Sequence, residues 1–162
     1  MSRCHLRIFQ EPSAQSNAFV SATAVAAALG GPTILHTEVH SDFDLAVAAT
    51  EGLPAEAAYR VVESGLLDAD ELYQLVIPRR TLDRRRDDKE PLTVAESDRL
   101  LRVVGVILRA IEALGDTAKA SKWLRTSNRS LRGEAPLSLL ETDIGARMVE
   151  RALGRIEHGV YS

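Results

Sequence analysis

The sequence predicts an all-α protein, and three observations support that fold class. Ala, Leu and Val dominate the apolar 45% of the 162 residues, whereas aromatic side chains make up only 4%, a composition that favours helices over sheets. Apolar residues recur at helical spacing, most regularly between Leu100 and Leu114. Glycine, proline and N-cap residues divide the chain into segments of helical length. A chain of this size can form one domain or two small helical modules.

The N-terminal part of the chain is predicted to contain four helices after a flexible arm. Residues 1–15 lack a hydrophobic period and are assigned to the arm. Ser16 can cap a helix at 18–29, which the Gly-Gly-Pro sequence at 30–32 ends. Residues 33–40 alternate loosely between apolar and polar, which predicts an extended linker. The next helices each begin at a capping residue or a proline, and they cover residues 43–50, 54–63 and 69–76.

A short helix rich in arginine follows the helix at 69–76 after a brief turn. Five of the eight residues from 79 to 86 are arginine, and the two helices together form a candidate helix-turn-helix motif. Such a motif places the first residues of its second helix in the DNA major groove, where arginine pairs with guanine edges or phosphates. Leu82 is predicted to point inward. The residues predicted to contact DNA are Arg79, Arg80, Thr81, Arg84 and Arg85.

A solvated charged face is the alternative interpretation of this arginine helix. Asp87, Asp88 and Glu90 follow at once and could neutralise it. The net charge of the chain is −3, so any attraction to nucleic acid must come from a local basic patch.

The C-terminal half is predicted to contain one long helix and a compact set of shorter ones. A capping-box pattern from Thr93 to Glu96 begins a long amphipathic helix at 94–114. Further helices are predicted at 118–124 and 144–157, with a short turn at 136–140 between them. Trp123 is expected to anchor the core. The last helix carries one apolar stripe, which is also assigned to the core and consists of Ile144, Met148, Val149, Ala152, Leu153 and Ile156.

Arginines on the last helix recur every four residues and therefore lie nearly along one line. They could be ordinary surface residues paired with neighbouring glutamates. The alternative is a ridge that faces a partner and leads to the chain end, where a tyrosine would be a suitable interface anchor. The candidate partner-binding residues are Arg147, Arg151, Arg155, Glu157, Gly159, Val160, Tyr161 and Ser162.

Two stretches of the chain resemble, in the expected order, the two halves of the Xre/MbcA/ParS antitoxin family. Residues 71–86 and 92–102 resemble its Xre-type helix-turn-helix. The stretch from 123 to the end resembles its toxin-binding domain, although Ser127 stands where the family more often has proline, which should loosen that turn slightly. The resemblance extends over roughly residues 19–162. The matching C-terminal positions are Trp123, Leu124, Asn128, Leu131, Gly133, Pro136, Leu139, Leu140, Thr142, Gly145, Val149, Leu153, Ile156, Glu157, Gly159, Val160 and Tyr161.

The resemblance implies an antitoxin with a helix-turn-helix region at 16–115 and a toxin-binding domain at 116–162. Family members pair with RES-domain toxins that consume NAD⁺, so the C-terminal domain is expected to cover the entrance of the toxin's active site. A homodimer is expected to bind a palindromic operator and repress the operon. The alternatives are a stand-alone transcription regulator whose C-terminal module serves only for dimerisation, and an antitoxin without affinity for DNA.

Other features of the sequence predict neither catalysis nor a cofactor. Cys4 is the only cysteine, which is consistent with a reducing cytoplasm. The chain has no signal-peptide pattern and no apolar run near the roughly 18 residues that span a bilayer, so a cytoplasmic location is expected. The two histidines at 36 and 40 lie in the predicted linker without further ligands nearby, and therefore do not predict a zinc site.

Overall fold

The structure, a computed structural model, describes residues 20–159 and contains helices without β-strands in that range. The predicted all-α fold class is confirmed. The predicted arm at 1–15 lies outside the described residues. Two short 3-10 helices, Arg129–Leu131 and Pro136–Glu141, precede the last α-helix. The α-helices are α1 (Ala22–Ala28), α2 (Gly31–Leu35), α3 (Asp42–Glu51), α4 (Ala55–Glu63), α5 (Ala69–Leu75), α6 (Arg79–Asp87), α7 (Val94–Leu114), α8 (Thr117–Arg125) and α9 (Asp143–Glu157).

The predicted start of the first helix is wrong by several residues. The backbone of Ser21 is extended, and its hydroxyl accepts a hydrogen bond from the backbone N–H of Ala24 at 3.2 Å. Ser21 is therefore the N-cap, because its side chain satisfies a donor that the helix itself leaves free. The predicted cap, Ser16, lies outside the described residues.

The predicted extended linker at 33–40 is also partly wrong, because helix α2 occupies its first three positions. Gly30 and Gly31 have φ angles of 103° and 63°, which turn the chain after α1. Pro32 then stands in the first turn of α2, where its fixed φ angle favours a helix and its missing N–H costs nothing. A left-handed residue, His36, ends α2 after five residues.

Capping boxes begin three of the helices, as the sequence predicts for α7. Thr93 and Glu96 exchange side-chain and backbone hydrogen bonds at the start of α7. The same arrangement joins Ser41 to Asp44 at α3 and Asp68 to Glu71 at α5. Each box satisfies two backbone N–H groups that would otherwise lack acceptors.

Helix α7 forms the centre of the described structure. It packs against α1 and α3 as well as against α8 and α9. The buried apolar residues of the whole described range form one continuous cluster. The helix-turn-helix region and the C-terminal helices therefore share a core along α7. The buried side chains of α7 are Ser97, Leu100, Val103, Val104, Val106, Ile107 and Ala110.

The α3–α4 connection is fixed on the first turns of α7 by hydrogen bonds. The hydroxyl of Ser97, which is fully buried, accepts a bond from the backbone N–H of Leu53 at 2.9 Å. The carbonyl oxygen of Leu53 in turn accepts a bond from the N–H of Leu92 at 2.8 Å. This pairing leaves the backbone of Leu53 satisfied inside the core, where an unmatched polar group would be destabilising.

Most of the predicted apolar stripe of α9 is confirmed as core, but Ile144 is an exception. Val149, Ala152 and Leu153 are buried, and Met148 and Ile156 are partly buried against them. Ile144 is 67% exposed. At 100° per residue, position 144 falls on the same side of the helix as 147 and 151, so it belongs to the exposed arginine face. Trp123 is partly buried against the core, as predicted.

Glycine at position 145 allows α9 to pack closely on the preceding turn. A Cβ atom there would overlap the carbonyl oxygen of Leu139. Replacement Gly145→Ala is expected to lower the free energy of unfolding by about 3 kcal/mol, because backbone must move to relieve the overlap. Gly154, in the same helix, has open space at its Cβ position, so Gly154→Ala is the matched control and should stabilise by up to about 1 kcal/mol. Urea unfolding measures the free energy of unfolding of both variants. Equal changes in the two would contradict the close packing of α9 at Gly145.

Candidate DNA-binding and partner-binding surfaces

Helices α5 and α6 form the helix-turn-helix that the sequence predicts. Three residues join them, of which Val76 and Ile77 are buried. Pro78 precedes the first turn of α6, and Leu82 is fully buried as predicted. Arg99 of α7 donates a hydrogen bond to the carbonyl oxygen of Val76 at 3.3 Å. The turn is therefore fixed both by apolar packing and by α7.

Helix α6 presents arginines to solvent in both its first and its last turn. Arg79, Arg80 and Arg84 are exposed, and Thr81 is partly buried. The first turn of α6 contains no acidic residue. Arg80 and Arg84 lie about 160° around the helix from Leu82, so they project away from the core. This exposed basic surface, formed by Arg79, Arg80 and Arg84, is named the α6 surface.

Arg85, which the sequence predicts to lie on the exposed side, is instead part of the fold. Its side chain is only 13% exposed, and its Nε lies 3.0 Å from Oε2 of Glu96. Its NH1 group also donates to the carbonyl oxygen of Pro91 at 3.1 Å. Position 85 is three residues after Leu82 and therefore lies only about 60° from the buried face. Arg85 joins α6 to the first turn of α7 and leaves the set of DNA-contact candidates.

A cluster that sequence reasoning missed joins α6 to α4. The hydroxyl of Tyr59 donates a hydrogen bond to Oδ1 of Asp83 at 2.5 Å. The guanidinium of Arg86 lies over the Tyr59 ring, 5.1 Å from its centroid, in a cation–π contact. Burial, reinforced by the hydrogen bond to Asp83, raises the pKa of Tyr59 to about 12. Tyr59 therefore remains a donor throughout the neutral pH range.

A bidentate ion pair links the helix-turn-helix to the C-terminal helices. Nε and NH2 of Arg125, at the end of α8, each lie 2.6 Å from a carboxylate oxygen of Glu71 in α5. Glu71 also completes the capping box of α5 through the N–H of Asp68. Its carboxylate thus holds two elements in place with one side chain. Paired donors of this kind fix orientation as well as distance.

The exposed side of α9 carries the predicted arginine line. Arg147, Arg151 and Arg155 are exposed, and Ile144 lies on the same side. We name these four residues the α9 ridge. Arg147 pairs with Asp143 one turn earlier. Sequence reasoning missed Ile144 because its spacing also fits the apolar stripe.

Glu157 and the chain end differ from the ridge. Glu157, a predicted partner contact, turns toward α7, where its carboxylate pairs with Arg109, and it lies outside the α9 ridge. Gly159 is exposed and has a φ angle of 65°. Val160, Tyr161 and Ser162, which are also predicted partner contacts, lie outside the described residues.

Within residues 20–159, no helix has both the length and the apolar character needed to cross a membrane.

Removal of the Arg125–Glu71 pair tests the link between the two regions. Arg125→Met is expected to lower the free energy of unfolding by about 1–2 kcal/mol, because Glu71 then loses its charged partner in a largely buried position. Arg147→Met removes an arginine from an exposed pair within one helix and should change stability by less than about 0.5 kcal/mol. Urea unfolding of both variants measures the difference. Equal losses would show that Arg125 does not join the regions.

Comparisons with known proteins match both regions. Residues 44–105 match the family model of the antitoxin Xre-like helix-turn-helix domain, and residues 109–159 match that of the antitoxin Xre/MbcA/ParS C-terminal toxin-binding domain. The boundary between the two matches falls within α7.

Three curated relatives are similar to this chain. "Antitoxin Xre" of Pseudomonas putida is 36% identical over 122 residues, which are 75% of this chain and 76% of the relative. "Antitoxin Xre" of Yersinia enterocolitica is 44% identical over 87 residues, 53% of this chain and 59% of the relative. "Prs ADP-ribosylating antitoxin" of a Sphingobium species is 30% identical over 125 residues, 72% and 76% of the two chains. With both domains matched in order, the chain belongs to the Xre/MbcA/ParS family of antitoxins.

Proposed function

We propose that this chain is a non-enzymatic antitoxin that neutralises a RES-domain, NAD-consuming toxin and represses its own operon. The C-terminal domain covers the entrance of the toxin's active site, and the helix-turn-helix binds the operator. The observation that carries the proposal is the presence of two separate exposed arginine surfaces that the core does not use, one on each domain. The name of the Sphingobium relative refers to ADP-ribosylation, a reaction whose donor is NAD⁺, which supports NAD⁺ chemistry at the partner.

The α9 ridge is the proposed toxin contact, together with Gly159, Val160, Tyr161 and Ser162. An exposed isoleucine beside arginines matches the composition of interface centres, in which an apolar anchor and arginine contribute most of the binding energy. The core of this chain leaves Ile144 unburied, so a partner that covered it would gain hydrophobic stabilisation. The cognate toxin is expected to present acidic side chains to the ridge.

The α6 surface, together with Thr81, is the proposed operator contact. Arginine forks at the start of a second helix suit both guanine edges and phosphates. One short helix contacts few base pairs and binds weakly. A homodimer that places two copies of α6 one helical turn apart on a palindrome is therefore part of the proposal. The expected location is the cytoplasm, where both partners would be found.

Charge reversal on the α9 ridge tests the toxin contact. In cells that express the RES-domain toxin of its operon, co-expression of the native chain should restore growth and the level of cellular NAD⁺. Arg151→Glu combined with Arg155→Glu should abolish that protection, because the two introduced carboxylates would repel an acidic toxin surface. Arg129→Glu, at an exposed position outside the ridge, is the control and should protect fully. Protection by the double variant would refute the ridge as the contact. DNA binding without any protection by the native chain would favour the stand-alone regulator.

Neighbouring arginines of α6 provide a matched test of the DNA contact. Arg84→Ala should leave stability unchanged, weaken binding to the operator region, and reduce the slope of log K against log salt by about 0.9, because one phosphate contact is lost. Arg85→Ala should instead lower the free energy of unfolding by about 1–3 kcal/mol, since it leaves Glu96 without its partner. Fluorescence anisotropy across a salt series and urea unfolding separate the two. An unchanged salt slope for Arg84→Ala would show that the α6 surface is only a solvated face.

A further inference from the structure

We propose that Asp83 is a specificity-determining residue of the DNA-binding helix. It orients Arg79 for contact with a base edge, and it holds a negative charge where a phosphate would otherwise bind. The inference rests on the proposed operator binding through α6. Its consequence is a limit on the affinity of the protein for DNA of arbitrary sequence.

The carboxylate of Asp83 lies beside Arg79, one of the arginines that would face DNA, and also near Arg86. Its Oδ2 atom is 3.6 Å from Nε of Arg79, one turn earlier in α6. Its Oδ1 atom is 4.0 Å from NH2 of Arg86, nearly one turn later. Arg79 is 75% exposed at its side chain, so its guanidinium is available to DNA while one edge of it faces the carboxylate. A phosphate that approached Arg79 would meet the charge of Asp83 at close range.

Tyr59 fixes this carboxylate from outside the helix. The Tyr59 hydroxyl donates to Oδ1 of Asp83 at 2.5 Å, and the Arg86 guanidinium covers the ring. Tyr59 lies on α4, whose Ala57, Ala58 and Val61 are fully buried. The position of the carboxylate is therefore set by the core and not by the rotamer freedom of a surface residue. An ordinary surface acid would turn away from an approaching phosphate, whereas this one is held in place.

The orientation of Arg79 and the fixed negative charge of Asp83 act differently on operator DNA and on other DNA. Non-specific binding depends almost entirely on neutralised phosphates, so a fixed anion in the surface opposes it directly. Specific binding also depends on hydrogen bonds to base edges, and an arginine already oriented by a carboxylate loses less freedom when it makes them. Asp83 thus lowers affinity for arbitrary sequences more than affinity for the operator. The ratio of the two affinities matters most, because a genome offers a large excess of non-specific sites.

The substitution Asp83→Asn tests the charge while retaining the size of the side chain and an oxygen acceptor for Tyr59. Two 30-bp probes are used, one from the region upstream of the chain's own reading frame and one with the same bases shuffled. We expect Asp83→Asn to raise affinity for the shuffled duplex about five-fold near 0.1 M salt, the effect of one unit charge at contact distance in water. The preference for the upstream duplex should fall. Anisotropy titrations give the dissociation constants for the two duplexes, and thermal melting verifies that each variant is folded.

Two control variants separate charge from position. Asp88→Asn removes an equal charge from the exposed C-terminal end of α6 and should change affinity for the shuffled duplex by less than two-fold. Tyr59→Phe keeps the charge but releases the carboxylate, so it should weaken binding to the upstream duplex and raise affinity for the shuffled one by less than Asp83→Asn does. An equal gain in Asp88→Asn would identify a bulk charge effect and overturn the inference.

The remaining outcomes distinguish this inference from the operator-binding proposal on which it rests. If the native chain binds DNA and Asp83→Asn, while folded, shows no gain for the shuffled duplex, the inference about Asp83 is wrong and operator binding stands. If neither protein binds either duplex at low salt, both proposals are overturned. A gain for the shuffled duplex together with a smaller preference supports the inference.

Discussion

The shared burial of α7 is the constraint on which the rest of the structure depends. One helix of 21 residues, about 32 Å long at 1.5 Å per residue, packs against α1 and α3 as well as α8 and α9. Its first turns hold α6 through Glu96 and the α5–α6 turn through Arg99, and Arg109 near its other end holds α9 through Glu157. Both candidate surfaces are therefore positioned by the same rigid element. The two regions matched by separate domain models are physically joined, because the boundary between the matches lies within a packed helix.

Two groups of arginines in the described residues differ in burial. Arg85 and Arg109 have largely buried side chains, Arg125 has a partly buried one, and all three face carboxylates on other helices, which offsets the cost of removing a guanidinium from water. The arginines of the α6 surface and the α9 ridge extend into solvent, where pairing contributes little to stability. The first group holds the helices together. The second group is available to partners without cost to the fold.

The sequence predicts those features that depend on local pattern. Capping residues and apolar spacing place α3 to α9, and Leu82 and Trp123 take the expected positions. The errors at the candidate surfaces arise because tertiary contacts, and not local spacing, decide which side chains are buried. Arg85 lies about 60° from a buried leucine on the helix, so spacing alone allows either side, and its environment is decided by Glu96, eleven residues away. The Tyr59–Asp83 bond spans 24 residues, and no local pattern indicates it. Ile144 is left exposed because Gly145 sets the face of α9 that packs.

The two arginine surfaces also differ in the charges that surround them, and this difference bears on which partner each would meet. The first turn of α6 has no acid, and the nearby Asp83 carboxylate faces Arg79 and Tyr59, so the exposed Arg80 and Arg84 form a basic surface that suits phosphates. The α9 ridge is of mixed sign, because Asp143 and Glu150 are exposed beside Arg147 and Arg151. A mixed surface with an exposed isoleucine is poorly suited to phosphates and well suited to a protein of complementary pattern. In a chain with a net charge of −3, this separation supports the proposed DNA contact at α6 and the proposed toxin contact at α9.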